Sequence, residues 1–291
     1  MTLDVAIRHE THYRFDRVVD IMPHIIRLRP APHCRTEILR YHMQVWPESR
    51  RLFWQQDIYG NHVAKAVFPE KSNELLVEVE LAARLRAINP FDFLLDIEAS
   101  RYPFSYPERW LPTLAPYLDV SEDSSLLREW VSQAATEDIG TINLLVDETQ
   151  RTAAAIGYQR RDEPGLQRCA DTLQLGSGSC RDSSWLLTQG LRCLGLAARF
   201  VSGYLIQVHH DDAGNPASAL TDEDYSELHA WVEVFVPGAG WIGLDPTSGM
   251  LAGAGHIPLA CTPTPDEAAP VTGNTGRCRA ELIYRNTIID I

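Results

Sequence analysis

No two of the six cysteines in this chain form a CxxC pair, which removes the commonest local signatures of zinc-binding and redox-active thiols. Cys34, Cys169, Cys180, Cys193, Cys261 and Cys278 are scattered along the sequence. That scatter argues against a disulfide framework and for a reducing compartment. No apolar run approaches the roughly 20 residues that cross a bilayer. The start, Met1-Thr2-Leu3-Asp4-Val5, lacks a basic segment leading into an apolar stretch. No signal peptide is read there, and a cytoplasmic location is expected. Positive charge is scarce too: 26 Lys and Arg stand against 39 Asp and Glu, a net charge of −13. Such an excess disfavours nucleic acid and anionic membranes as partners. There is no internal repeat and no low-complexity tract. What remains is the composition of a soluble enzyme, long enough for one large or two ordinary domains and a well-buried core.

The chain divides by pattern. Leu3, Val5 and Ile7, then Tyr13 and Phe15, alternate with polar residues, as do Leu75, Val77, Val79 and Leu81. Val63–Phe68 is a further short strand after the Gly60-Asn61 turn. Residues 1–88 therefore read as an all-β domain. Residues 89–120 hold Pro90, Pro103, Pro107, Pro112 and Pro116 among Phe91, Phe93, Tyr102, Phe104 and Trp110. Prolines break regular elements, yet these aromatics are too apolar for a free linker, so the segment reads as a connector that wraps between two domains. Helical stripes follow at Leu126–Ala134, with Ser124 or Ser125 as cap, and at Ile142–Ile156, ended by Gly157. Residues 121–291 read as one catalytic domain closed by a strand at Ala280–Ile289. The fold class expected is α+β, a cysteine-bearing helix on an antiparallel sheet, preceded by the β-domain.

The chemistry concentrates downstream. Cys180 lies in Gly176-Ser177-Gly178-Ser179-Cys180-Arg181-Asp182, just before a helical run. A thiolate is the reactive form of cysteine, and helix N-termini and neighbouring imidazolium groups favour it. Ser184, Leu187, Leu191 and Leu194 follow Cys180 at spacings of three and four, so the cysteine heads the stripe that packs on a sheet. His229 sits in an alternating strand, Leu228–Val236, and Asp245 ends the next one, Trp241–Leu244. Thiol, imidazole and carboxylate in this order suit a nucleophile, its base and an orienting acid. Each alone has a plainer reading. Cys193 reads as a small hydrophobe, a histidine beside a tryptophan is commonly structural, and Asp245-Pro246-Thr247-Ser248-Gly249 could be a simple turn.

Strand geometry adds a condition. His229, Trp231, Glu233 and Phe235 share one face. A four-residue loop pairing Val236 with Trp241 would put Asp245 opposite Val232, on the wrong face. Pairing Phe235 with Trp241 puts Asp245 opposite Trp231, diagonal to His229 and within side-chain reach. The sequence therefore predicts an odd loop or bulge at Pro237-Gly238-Ala239-Gly240, with Gly238 or Gly240 at positive φ.

These residues carry a resemblance. Gly178–Asp182, Leu194–Tyr204, Leu228–Glu233 and Gly240–Thr247 resemble the transglutaminase-like superfamily, most of all its bacterial branch of candidate cysteine proteases. The resemblance implies Cys180 as nucleophile, His229 as base and Asp245 as third member. It also implies an amino-terminal bacterial transglutaminase-like β-domain ending in a segment like Asp57-Ile58-Tyr59-Gly60-Asn61. The papain signature of paired cysteines followed at once by tryptophan is absent, since Trp185 lies five residues after Cys180.

Lesser features keep two readings each. Gln174 stands six residues before Cys180, where its amide could help hold an oxyanion, or it is an ordinary helix glutamine. The loop His209–Ser226 carries Asp211, Asp212, Asp222, Glu223 and Asp224, which could select a cationic substrate or simply be solvated. His209-His210-Asp211-Asp212 offers metal-ligand types, but consecutive side chains diverge on a strand, so no metal or cofactor is expected. The function expected is a thiol-dependent acyl-transfer enzyme acting on peptide or protein amides, a cysteine peptidase or amidase. A transglutaminase or amide ligase would use the same triad, and a peptide-binding module with an idle triad is the non-enzymatic alternative. The resemblance also points to ATP-grasp-like ligases as partners.

Overall fold

The computed structural model describes residues 2–134, 138–161, 165–208 and 224–289. The acidic stretch with Asp211, Asp212, Asp222 and Glu223, and the His209-His210-Asp211-Asp212 run, lie outside the described residues. Six strands come first: β1 (Thr2–Val19), β2 (His24–Ile26), β3 (Glu37–Trp46), β4 (Arg51–Gln56), β5 (His62–Val67) and β6 (Ser72–Arg86). Their alternation has the expected cause. Leu75, Val77, Val79 and Leu81 are buried on one face of β6, with Val5 and Ile7 beside them on β1, while the intervening residues face outward.

Residues 89–120 are tied down by their aromatics. Tyr106 Oη donates to the Phe235 carbonyl at 2.7 Å and accepts the Ala197 N–H at 2.9 Å. Tyr102 Oη donates to the Leu194 carbonyl, and Phe104 and Trp110 pack edge-on against Tyr106 and Phe235. Helix α1 (Leu111–Leu118) lies within this segment despite two prolines. Pro112 falls in its first turn, where a missing N–H costs nothing. Helix α2 (Ser125–Ser132) is capped by Ser124, whose side chain accepts the Leu127 N–H at 3.1 Å. Then come α3 (Thr141–Ala155), α4 (Cys169–Leu175) and α5 (Cys180–Cys193). Among the described residues no helix is long and apolar enough to cross a membrane.

The central sheet has five strands: β7 (Ala198–Gln207), β8 (Tyr225–Val236), β9 (Gly240–Asp245), β10 (Met250–Leu251) and β11 (His256–Thr262), in the order β10-β9-β8-β7-β11. Phe235 pairs with Trp241 and Val236 with Gly240, which is the register that the acid's position demands. Both Gly238 (φ +87°) and Gly240 (φ +77°) take the left-handed conformation, so the odd turn uses two glycines rather than one. The body of α5 packs on the β8 face that carries Ala230, Val232 and Val234. Leu187 and Leu191 meet Val232, Val234 and Ala198, and Ser184 Oγ donates to the Ala230 carbonyl at 3.0 Å. His229, Trp231 and Glu233 lie on the other face. β9 stops pairing with β8 at Val232–Leu244.

The last strands return to the start of the chain. β12 (Val271–Thr272) joins β2, and β13 (Ala280–Ile289) joins β1. The amino-terminal sheets are thus ordered β13-β1-β6-β3 and β12-β2-β5-β4. The physical reason is edge completion: β1 and β2 would otherwise expose unpaired backbone groups. The two regions also share a core, in which Ile7, Leu28 and Val79 pack with Tyr204, Ile206, Ile257 and Leu259. The Asp57–Asn61 turn is a second tie. Asn61 Oδ1 accepts the Cys261 N–H at 2.9 Å and its Nδ2 donates to the Cys261 carbonyl at 3.2 Å, so this turn grips β11 by its backbone.

Gly203 on β7 makes room for the site. A Cβ there would lie 2.3 Å from the Ile257 carbonyl oxygen and 2.4 Å from the Trp231 ring. Gly203→Ala should therefore destabilise the protein by about 1–3 kcal/mol through overpacking. Gly190→Ala, inside α5 with no neighbouring atom within 4 Å, should be neutral or stabilising. Thermal unfolding of the two variants against the parent checks this; equal melting temperatures would contradict it.

Candidate active site

Cys180 is the first residue of α5 and is partly exposed. Its position is fixed by Asp182, which is 1% exposed. The Asp182 carboxylate accepts the Ser179 N–H at 2.8 Å and the Ser179 hydroxyl at 2.7 Å, closing the helix's first turn. It also accepts Arg161 Nη1 at 2.7 Å and the Gln167 N–H at 2.8 Å. Burial works against the charge of this carboxyl, but these four donors win and hold it below the usual carboxylate range. The thiol thus sits on a helix end whose leading N–H groups lack helical partners.

His229 and Asp245 come together as the register requires. His229 Nε2 lies 3.2 Å from Asp245 Oδ2, and both side chains are almost wholly buried. The Asp245 Oδ1 atom accepts the Thr247 N–H at 2.8 Å, and its carbonyl accepts the Gly249 N–H at 2.9 Å. The Asp245-Pro246-Thr247-Ser248-Gly249 turn is therefore real, and it serves to aim the carboxylate. Trp231, 1% exposed, stacks on the His229 ring at 25° and meets the His256 ring edge-on.

His256, on β11, was not singled out by sequence. Its Nε2 lies 3.2 Å from the same Asp245 Oδ2, and its Nδ1 accepts the Gly253 N–H at 3.1 Å. That second bond decides the tautomer: Nδ1 is an acceptor, so Nε2 carries the proton and donates to Asp245. Asp245 in turn accepts from His229 Nε2. A neutral His229 is then bare at Nδ1, the nitrogen that has no hydrogen-bond partner of ordinary geometry. Burial pulls the His229 pKa down, but Asp245, Cys180 and Glu227 outweigh burial and raise it well above the ordinary value. Burial likewise opposes the charge of Asp245, and the two imidazoles overcome it and depress its pKa. The signal for His256 was a histidine at the start of β11, the second strand after the Asp245 turn, with no spacing rule to mark it.

Other sequence candidates fall elsewhere. Gln174 is exposed on α4. Glu233 shares the face of His229, but Arg199 Nε donates to it at 2.7 Å. Among the described residues two groups of metal-ligand types converge, His33, Glu233 and Cys261, and the Asp245 pair of imidazoles. In the first, Arg199 ion-pairs with Glu233 and approaches His33 Nε2 at 3.3 Å, so a guanidinium already fills the place of a cation. In the second, two N–H donors occupy the carboxylate.

All six cysteines are free. Burial pushes the Cys34 thiol up to about 11 and raises Cys169, Cys193 and Cys261 as well. Brief iodoacetamide treatment at pH 6 should therefore label Cys180 well before these four, as read by peptide mapping; equal labelling would contradict the site. The Asp245–His229 pair also carries a pH signature. A depressed carboxyl stabilises the fold above its unfolded value of about 3.9, and that contribution fades as pH falls. A raised imidazole stabilises below about 6.5, and its contribution fades as pH rises through the folded value. The stability gap between the parent and Asp245→Asn should be widest between about pH 4 and 6.5. Denaturant titrations across pH measure it, and a flat gap would count against the pair.

Comparisons with known proteins agree with this architecture. A profile described as the bacterial transglutaminase-like N-terminal region matches residues 5–84, and the transglutaminase-like superfamily profile matches residues 131–246. Uncharacterized protein YebA of Bacillus subtilis is 29% identical over 148 residues, which are 51% of this chain and 18% of YebA. Uncharacterized protein Mb2599c of Mycobacterium bovis is 23% identical over 297 aligned residues, covering 98% of this chain and 90% of that protein. A solved structure of a candidate cysteine protease from Cytophaga hutchinsonii superposes with a TM-score of 0.65 at 17% identity, over 100% of this chain and 94% of its own. At that identity the likeness speaks to the fold. With Cys180, His229 and Asp245 inside the second matched span and most of β1–β6 inside the first, the chain belongs to the transglutaminase-like superfamily, with a bacterial transglutaminase-like N-terminal region preceding its core.

Proposed function

We propose that the protein is a thiol-dependent acyl-transfer enzyme acting on peptide or protein amides, with Cys180 as nucleophile, His229 as base and Asp245 as the acid that orients it. One observation carries the reading: Asp245 Oδ2 lies 3.2 Å from His229 Nε2 and so accepts its hydrogen bond, which leaves Nδ1 for the thiol at the head of α5. In the forward step the Cys180 sulfur attacks the amide carbonyl and its proton passes to His229 Nδ1. The C–N bond breaks as that proton goes to the leaving amine, and a thioester remains. Water then attacks the thioester, gives its proton to His229, and the released thiolate closes the cycle. On this reading the enzyme is a cysteine peptidase or amidase. Its expected setting is the cytoplasm, and its expected substrates are peptides or proteins. Asp245 never needs to accept a proton; it fixes the tautomer and balances the imidazolium.

The test begins with incubation of the protein with a peptide library, with and without free amines, followed by mass spectrometry. Hydrolysed products without amine adducts are expected. Amine adducts in their place would make the protein a transglutaminase or ligase, and no turnover at all would favour a binding module. On whichever substrate emerges, Cys180→Ala should abolish turnover. Asp245→Asn should lower it about 10³–10⁴-fold by stabilising the wrong tautomer, with the fold retained. Near-normal turnover in a folded Asp245→Asn protein would remove Asp245 from the mechanism.

A further inference from the structure

His229 has a carboxylate at each end. Asp245 at Nε2 is buried and holds three donors, which suits a fixed structural acid. Glu227 is different. Its Oε1 lies 3.3 Å from Nδ1, the nitrogen that must take and return the thiol proton, and its side chain is 34% exposed. Glu227 stands two residues before His229 on β8, so the two side chains share one face of the strand. The contact is off the line of the ring N–H, since Nδ1 has no hydrogen bond of ordinary geometry. It therefore acts through charge more than through a directed bond. A negative group at this distance favours imidazolium and disfavours thiolate, so it moves both ionisations of a thiol–imidazole pair toward higher pH.

We propose that Glu227 sets the pH range in which the Cys180–His229 pair holds its reactive thiolate–imidazolium form. The inference rests on the acyl-transfer reading of the site. Glu227 is a positioning residue in this scheme, acting through His229 rather than on the substrate. The other charged or titratable groups around the pair, among the described residues, do not take its place. Asp245 and His256 face the far nitrogen. Tyr284 on β13, Tyr225 on β8 and Tyr158 beside the Cys180 turn all have pKa values raised, by burial first and, less strongly, by Glu227, and so stay neutral through the working range. Arg160 acts on Tyr158 and Tyr284 with the opposite sign. This leaves Glu227 as the half-exposed carboxylate beside the reacting nitrogen, where an entering substrate would also cover it.

The experiment follows Cys180 alkylation by iodoacetamide against pH, with peptide mapping, in the full-length parent, Glu227→Gln and Glu227→Asp. Glu227→Gln should move the half-maximal point of the rising limb to lower pH by about one unit, the size expected for removal of one nearby charge. Glu227→Asp, whose carboxylate is set back by one methylene, should shift it the same way by less. A role confined to packing would lower the melting temperature and leave this midpoint in place. An unchanged midpoint, or a shift to higher pH, overturns the inference while leaving the acyl-transfer reading intact. If Cys180 in the parent reacts no faster than the buried cysteines, the acyl-transfer reading falls and this inference falls with it. If Glu227→Gln does not fold, the Glu227→Asp midpoint decides, because a folded aspartate variant with the parent's midpoint also overturns the inference.

Discussion

One carboxylate oxygen, Asp245 Oδ2, receives protons from two imidazoles, and the geometry of the site depends on that sharing. His256 is fixed first, because the Gly253 N–H donates to its Nδ1 and forces the proton onto Nε2. The carboxylate is then held from one side by His256 and from below by the Thr247 N–H, which leaves its remaining direction for His229. A buried carboxylate with fewer donors would be driven to protonate. With three it stays charged and can impose one tautomer on the base. The tautomer of the imidazole beside Asp245 therefore depends on a backbone N–H on a different loop.

The surrounding fold maintains this small network. Gly203 lets the Trp231 ring lie across β7, where it stacks on His229 and meets His256 edge-on, while the two imidazoles also meet each other edge to face. Asn61 grips the backbone of Cys261 on β11, five residues along from His256. β13 returns from the end of the chain to pair with β1, and its Tyr284 Oη accepts the Leu228 N–H next to His229. The amino-terminal region is thus more than a neighbour of the catalytic unit. It anchors β8, which carries His229, and β11, which carries His256, and loosening it should be felt at the site.

Much of this was legible in the sequence because it depends on local rules. Alternation places His229 and Glu233 on one face, and it also gives the Phe235–Trp241 register once an odd turn is allowed. Helix spacing gives α5 and puts Cys180 at its head. The rest depends on contacts between residues far apart in sequence. Helix α1 was hidden because Pro116 lies inside it. The packing face was also hidden: α5 lies against the face of Ala230 and Val232, and not against the face that carries His229. The pairing of Ala280–Ile289 with β1 has no local sign, since any exposed edge could have taken that strand. His256 could not be found by pattern, because its part depends on a loop N–H at Gly253 and on a carboxylate eleven residues upstream. Glu227 was open to the same face argument that singled out Glu233, on the other side of the histidine.

The central claim is that Asp245 holds both imidazoles through their Nε2 protons. Nitrogen-15 NMR of the imidazole rings, in the parent at neutral pH, tests it most directly. The account predicts that both His229 and His256 carry protons at Nε2, that His256 is bare at Nδ1, and that both Nε2 protons lose their deshielding in Asp245→Asn. A His229 protonated at Nδ1 with a bare Nε2 would contradict it, because Asp245 would then have no proton to accept from the base.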